Sequence, residues 1–234
     1  MPDTNPNIRQ ELLTAILPHV AFDGWSELAF VAAADDIGID IEQARATCPR
    51  GAIDLAIDFH RAGDQAMVTA FKSTDLSDMR YRDKVATALK LRVEGMTDRE
   101  VIRRVSALFA LPHNTADGAK LIWETADHIW TALGDTSTDA NWYSKRATLS
   151  GVWAATVLFW LGDDSENAAD TMAFIDRRID NVMQIEKTKA QLREHPLTKP
   201  LMALQASILS GVKAPNPQSM KDTPGHWDQS PGNQ

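Results

Sequence analysis

The sequence predicts an all-α fold, and three observations carry that prediction. Apolar residues recur at three- and four-residue spacing in segment after segment. No stretch alternates apolar and polar residues between turn signals, as a half-exposed strand would. The breaks fall on Gly, Pro or short runs of Ser, Thr and Asp. With 234 residues, 44% of them hydrophobic, the chain is long and apolar enough to bury a sizeable core.

Taken in order, Ile8, Leu12, Leu13, Ile16, Leu17 and Val20 predict a first helix over about 8–22, closed by Gly24. A second helix starts at an N-cap, Ser26, and runs to Asp36, with Gly38 as its stop. Asp40 caps a short third helix through about Thr47, ended by Pro49-Arg50-Gly51. Further helices are expected over 51–72, 76–94, 98–111, 115–133, 138–162, 165–190 and 200–212. Thr97, three residues before Glu100, has capping-box spacing, and Asn114 or Thr115 can cap the helix after Leu111-Pro112.

One helical domain is therefore expected over 8–190, with a three-helix head at 8–50 and a body at 51–190. Disordered ends are expected at 1–7 and 214–234, the latter rich in Pro, Asn, Gln, Gly and Ser. Between them, 191–213 reads as a basic linker and an amphipathic helix. Lys187, Lys189, Arg193, Lys199 and Lys213 face only Glu194 across 187–213. After Pro200, the residues Leu201, Leu204, Ile208 and Val212 share a face flanked by Met202 and Leu209. Such a helix can rest on an anionic membrane or dock on its own domain.

The net charge of −8 opposes broad binding to nucleic acid. A helix-turn-helix head on a larger helical body is the plan of TetR-type regulators, but this head is acidic. Four arginines (Arg9, Arg45, Arg50, Arg61) stand against ten carboxylates in 8–64, and the third helix opens with Asp40 and Glu42. No nucleic-acid partner is expected. A single cysteine, Cys48, excludes an internal disulfide and reads as a small core residue. No signal peptide or membrane-spanning run is apparent, so the expected location is cytoplasmic.

Candidate chemistry is thin. A di-iron bundle needs Glu-x-x-His pairs, and none occurs. Glu124 and His128 lie one turn apart, and His60 sits between Asp58 and Asp64 on a charged helix. Neither arrangement makes a site. No phosphate loop or nucleophile elbow is present, so no catalytic residue, metal or cofactor is expected. The unusual segment is Gly134-Asp135 to Arg146, where Trp142 and Tyr143 are adjacent. Neighbouring helical residues diverge by about 100°, so one ring should be partly exposed. An exposed interface anchor and a ring straddling a helix seam both fit that pattern.

The run Leu111-Pro112-His113-Asn114, then Trp130, Gly134-Asp135, Ser137-Thr138-Asp139, Asn141-Trp142-Tyr143 and Arg146, resembles the signature of the lipid-binding accessory family of coenzyme Q biosynthesis. The likeness extends from about Ile8 to Val212, including Gly24-Trp25 and Pro49-Arg50-Gly51. It departs at Cys48, where an aromatic is expected, and at His128, where an acid is usual. The resemblance implies a TetR-like helical bundle ending in a membrane-contacting amphipathic helix. It implies a homodimer, not an enzyme, that binds an isoprenoid or quinone lipid and docks on the demethoxyubiquinone hydroxylase at the inner membrane face. The docking patch maps to Asp127, Ile129, Trp130, Asp139, Trp142, Tyr143 and Arg146. The membrane contact maps to Leu201, Met202, Leu204, Ile208, Leu209 and Val212. Candidate lipid-cavity residues are Phe109, Trp123, Trp153, Val157, Leu158, Trp160 and Phe174. The alternative is a TetR-like regulator sensing an apolar ligand; a self-contained enzyme ranks third.

Overall fold

A computed structural model describes residues 6–194, and their regular elements are all helices, without a strand among the described residues. The expected membrane helix (Leu201 to Val212) and the tail from 214 lie outside them. The head comprises α1 (Pro6–Asp23), α2 (Glu27–Asp36) and α3 (Ile41–Thr47). The body comprises α4 (Ala52–Ser73), α5 (Tyr81–Glu94), α6 (Arg99–Ala110), α7 (Thr115–Ala132), α8 (Ala140–Leu161) and α9 (Ala169–Glu194). One 3₁₀ turn, Glu166–Ala168, leads into α9.

The caps follow from short polar side chains that satisfy the first free amides of each helix. Ser26 Oγ accepts from Ala29 N at 3.2 Å, and Asp40 Oδ1 accepts from Glu42 N at 2.7 Å. Gly24 and Gly38 close the first two helices with φ of +68° and +69°, a left-handed turn that a side chain disfavours. Two expectations need correction, and a third is met in position but not in its hydrogen bond. The helix placed at 76–94 starts at Tyr81, because Asp75 Oδ1 accepts from Ser77 N at 3.0 Å and holds 75–79 as a turn. The cap of α6 is Asp98, whose Oδ1 accepts from Glu100 N and Val101 N, so Thr97 heads no capping box. Asn114 occupies the N-cap position of α7, but its Nδ2 donates back to Leu108 O at 3.2 Å and serves the end of α6.

Two hydrophobic clusters form. In the head, Leu12, Ile16 and Val20 of α1 are fully buried with Phe30, Ala44, Cys48 and Leu55, and α6 contributes Val101 and Val105. In the body, Met67, Leu89, Ile102, Ile129, Trp153 and Ile175 pack together. Burial of each large apolar side chain stabilises the fold by about 1.5–3 kcal/mol. Helix α6 joins the clusters, since Val101 and Val105 face the head while Ile102 faces the body. That straddling position opens the space between α6, α7 and α8 described next.

Candidate ligand cavity and aromatic face

A cavity of about 400 Å³ lies among α4, α5, α6, α7 and α8. Its volume falls in the range of small-molecule sites. Four of the seven expected cavity residues line it: Phe109, Trp153, Val157 and Leu158. Leu158 stands at its mouth, 69% exposed, a large apolar side chain left in water. The other three do not line it. Trp123 is one residue past the lining Ile122, and the helical turn sends its ring toward Trp142, 5.8 Å away. Trp160 is buried against the Arg99 guanidinium at 5.2 Å, and Phe174 stacks on Phe159 at 4.5 Å.

The cavity has one polar end, which no motif along the chain marks. His60 of α4 and Arg92 of α5 line it, with Asp64 fully buried behind them. Arg92 Nε donates to Asp64 Oδ1 at 2.8 Å and Arg92 Nη2 donates to His60 O at 3.1 Å. The guanidinium also lies over Trp153, 5.3 Å from the ring centroid. Thr125 Oγ1 sits 3.0 Å from Asp64 Oδ2, and His60 Nε2 is 2.9 Å from the same hydroxyl. With the hydroxyl donating to the carboxylate, His60 Nε2 is assigned as the donor to Thr125. Burial pushes the His60 imidazole down to about 4, against the opposing pull of Asp64. Burial raises the Asp64 carboxyl, but His128, His60 and Arg92 outweigh it and hold the group below its ordinary range. His128 Nδ1 lies 3.6 Å from Asp64 Oδ2, an ion-pair rather than a hydrogen-bond distance, and the carboxylate raises its pKa.

His60 is therefore part of a polar knot and not a residue of the charged face. Glu124 and His128, one turn apart on α7, turn to different partners: Arg61 takes Glu124 at 2.9 Å while His128 faces Asp64. Cys48 is fully buried, and burial raises its thiol to about 11, as suits a core residue.

The second feature is an aromatic face where α7 ends and α8 begins. Asp139 caps α8, accepting from Asn141 N at 2.9 Å. Trp142 and Tyr143 are half-buried and meet edge to face at 4.8 Å, and both reach Trp123. Trp130 lies between Tyr81 and the Lys145 ammonium, whose Nζ is 5.5 Å from its ring. Two expected patch members are interior. Ile129 is wholly buried in the body core, one turn of α7 away from solvent. Arg146 is only 3% exposed, and its guanidinium lies 4.0 Å below the Trp142 ring. Arg146 Nε donates to Asp127 Oδ1 at 2.5 Å, and Nη1 donates to Asp135 Oδ2 at 3.1 Å. Burial raises Asp135, but the Lys145, Ser137 and Arg146 bonds prevail and hold it at about 2. Arg146 therefore props the indole from beneath, and the surface consists of Asp127, Trp130, Asp139, Trp142 and Tyr143.

Residues 115–186, spanning α7, α8 and most of α9, match the COQ9 family model. The ubiquinone biosynthesis protein COQ9, mitochondrial, of Rattus norvegicus is 27% identical over 202 residues, covering 82% of this chain and 64% of the relative. The chain is similar to the COQ9 proteins over most of its length. The human COQ9 is 25% identical over 202 residues, covering 82% of this chain and 62% of the relative. The probable coq9 of Dictyostelium discoideum is 27% identical over 196 residues, covering 80% and 63%. The chain thus spans a little under two thirds of the length of these relatives. A TetR transcriptional regulator of Nitrosomonas europaea superposes with a TM-score of 0.61 at 16% identity, over 74% of this chain and 97% of that one. The fold is TetR-like, as the three-helix head leads one to expect. The part matched by the COQ9 model carries the whole surface of the aromatic face and the α7 and α8 walls of the cavity.

Proposed function

We propose that this chain is a non-catalytic lipid-binding protein of ubiquinone biosynthesis. In this reading it takes an isoprenoid quinone intermediate into the α4–α8 cavity and offers it to the demethoxyubiquinone hydroxylase. The observation that carries the reading is the cavity: about 400 Å³, walled by Phe109, Trp153 and Val157, and opening beside exposed Leu158. A cavity of that size holds a ring and a short length of chain, so a long prenyl tail leaves through the mouth. Burying apolar ligand surface at about 25 cal/mol per Å² offsets part of its withdrawal from a bilayer.

The aromatic face is the proposed docking surface for the hydroxylase, with Trp142 and Trp130 as anchors in a rim containing Asp127 and Asp139. Among the described residues no helix is long and apolar enough to cross a membrane. The membrane contact is assigned to the amphipathic segment at 201–212, and the working unit is a homodimer. Deletion of 200–213 is expected to abolish sedimentation with anionic liposomes; undiminished sedimentation removes that segment from the membrane role.

A DNA-reading role is the second reading because the fold is TetR-like. The head and the adjoining α4 disfavour it: Arg9 pairs with Asp58, Arg45 with Glu27, Arg50 with Asp54 and Asp117, and Arg61 with Glu124. Each arginine that might meet a phosphate is already held by a carboxylate.

The test is native mass spectrometry of the purified protein followed by organic extraction. A co-purifying quinone or isoprenoid lipid, one per cavity, is the expected result. A lipid-free protein that takes up no added quinone overturns the reading.

A further inference from the structure

Arg92 is the charged side chain in a mainly apolar cavity lining. Its residue is 5% exposed, and its position is over-determined. Asp64 takes Nε, the His60 carbonyl takes Nη2, and Trp153 lies beneath the guanidinium plane. A Cβ at Gly63 would stand 2.6 Å from the guanidinium carbon, so α4 carries no side chain where Arg92 crosses it. Among the described residues no hydrogen bond engages Nη1, although the side chain lines the cavity. A donor withheld from both protein and apolar wall is costly unless a ligand or water meets it.

The charge around the donor selects what meets it. Asp64 lies 2.8 Å from Arg92 and balances the guanidinium at contact distance. The other polar residues of the lining are uncharged: His60 is an imidazole held to Thr125, and the Ser106 and Thr115 hydroxyls donate to the Ile102 and Pro112 carbonyls. An anionic head group such as a phosphate needs positive charge in excess and more than one free donor. A ring carbonyl needs a single directed N–H, which Nη1 supplies, and a flat apolar wall, which Trp153 supplies.

We propose that Arg92 is the head-group anchor of the cavity, its Nη1 donating to an uncharged carbonyl oxygen of a ring whose apolar tail leaves past Val157 and Leu158. The proposal rests on the cavity being a lipid site, and it adds orientation and selectivity: head inward at α5, tail outward at α8, neutral carbonyl preferred to phosphate. His60 and Asp64 act as positioning residues for the guanidinium.

The experiment uses the full chain and three probes with ten-carbon alkyl tails: an alkylbenzoquinone, an alkylbenzene and an alkyl phosphate. Binding is measured by calorimetry, with quenching of tryptophan fluorescence as a second readout, since Trp153 borders the site. The expected result is at least tenfold tighter binding of the alkylbenzoquinone than of either other probe, the difference a hydrogen bond from a charged donor gives. Removing Arg92 alone leaves a buried carboxylate unpaired, so the variant of choice is Asp64→Asn with Arg92→Gln, which keeps a neutral hydrogen-bonded pair. It should lose the tenfold preference while binding the alkylbenzene as before. Equal binding of quinone and alkylbenzene by the unaltered protein overturns the anchor while leaving a lipid cavity. Tighter binding of the alkyl phosphate overturns the neutral-head selectivity. Failure to bind any of the three overturns the cavity reading itself and the anchor with it. If the double variant does not fold, the selectivity of the unaltered protein decides alone.

Discussion

At the scale of single residues, the knot of Asp64, Arg92, His60, Thr125 and His128 carries the most testable physics. His60 is harder to protonate folded than unfolded, with a pKa moved from 6.5 to about 4. Between those values the unfolded chain binds more protons, so stability falls as pH drops through that window. His128 moves the other way: Asp64 raises it, its contribution is complete below its unfolded value, and it is lost as pH rises through its folded value. Urea unfolding at pH 7 and pH 5 should therefore show a smaller acid loss for His60→Gln than for the unaltered chain. Equal losses in both proteins would assign the acid sensitivity elsewhere. Gly63→Ala tests the same knot sterically. With the Arg92 guanidinium 2.6 Å from the new Cβ and pinned by two hydrogen bonds, overpacking should cost about 1–3 kcal/mol in the urea-derived stability. No measurable loss would mean that the guanidinium swings aside freely.

At the scale of elements, α6 and α7 touch through a missing side chain. A Cβ at Gly118 would meet Phe109 Cβ at 2.8 Å and Phe109 O at 3.1 Å. Gly118→Ala should push α6 from α7, cost about 1–3 kcal/mol and shift the cavity wall that Phe109 forms. Thermal unfolding with and without alkylbenzoquinone separates the effects, because ligand stabilisation reports the cavity independently of basal stability. On the docking proposal, the junction of α7 and α8 divides into a buried support and a docking surface. Arg146→Ala strips Asp135 and Asp127 of their buried cation and should cost about 3–5 kcal/mol. Trp142→Lys removes a half-buried ring with its edge-to-face contact and should cost about 1 kcal/mol. Yet Trp142→Lys should abolish capture of the hydroxylase in a pull-down. Retained capture by a folded Trp142→Lys protein would remove the aromatic face from the docking role.

At the scale of the whole molecule, the head is packed into the rest of the helical bundle. Its arginines pair with carboxylates of α2, α4 and α7, and its core continues into α6 through Val101 and Val105. Fluorescence anisotropy should detect no binding of duplex DNA even at low salt, where counterion release favours it most. Binding that weakens steeply with added salt would restore the regulator reading.

The sequence by itself determined the helical architecture and much of its punctuation. Apolar spacing places α1 to α9 within a few residues, and Ser26 and Asp40 act as caps because a cap is a local event between neighbours in the chain. It also marked Trp142 and Tyr143, since adjacent aromatics on one helix cannot share one direction. The tertiary structure alone decided which large apolar residues wall a cavity. Trp123, Trp153 and Trp160 read alike as helical aromatics, and only the packing of α6, α7 and α8 sends Trp153 inward to the cavity. It alone decided the polar end as well. Asp64 and Arg92, 28 positions apart, read as ordinary solvated charges in the chain; burial and a 2.8 Å contact make them a knot, because charge pairing depends on distance through space.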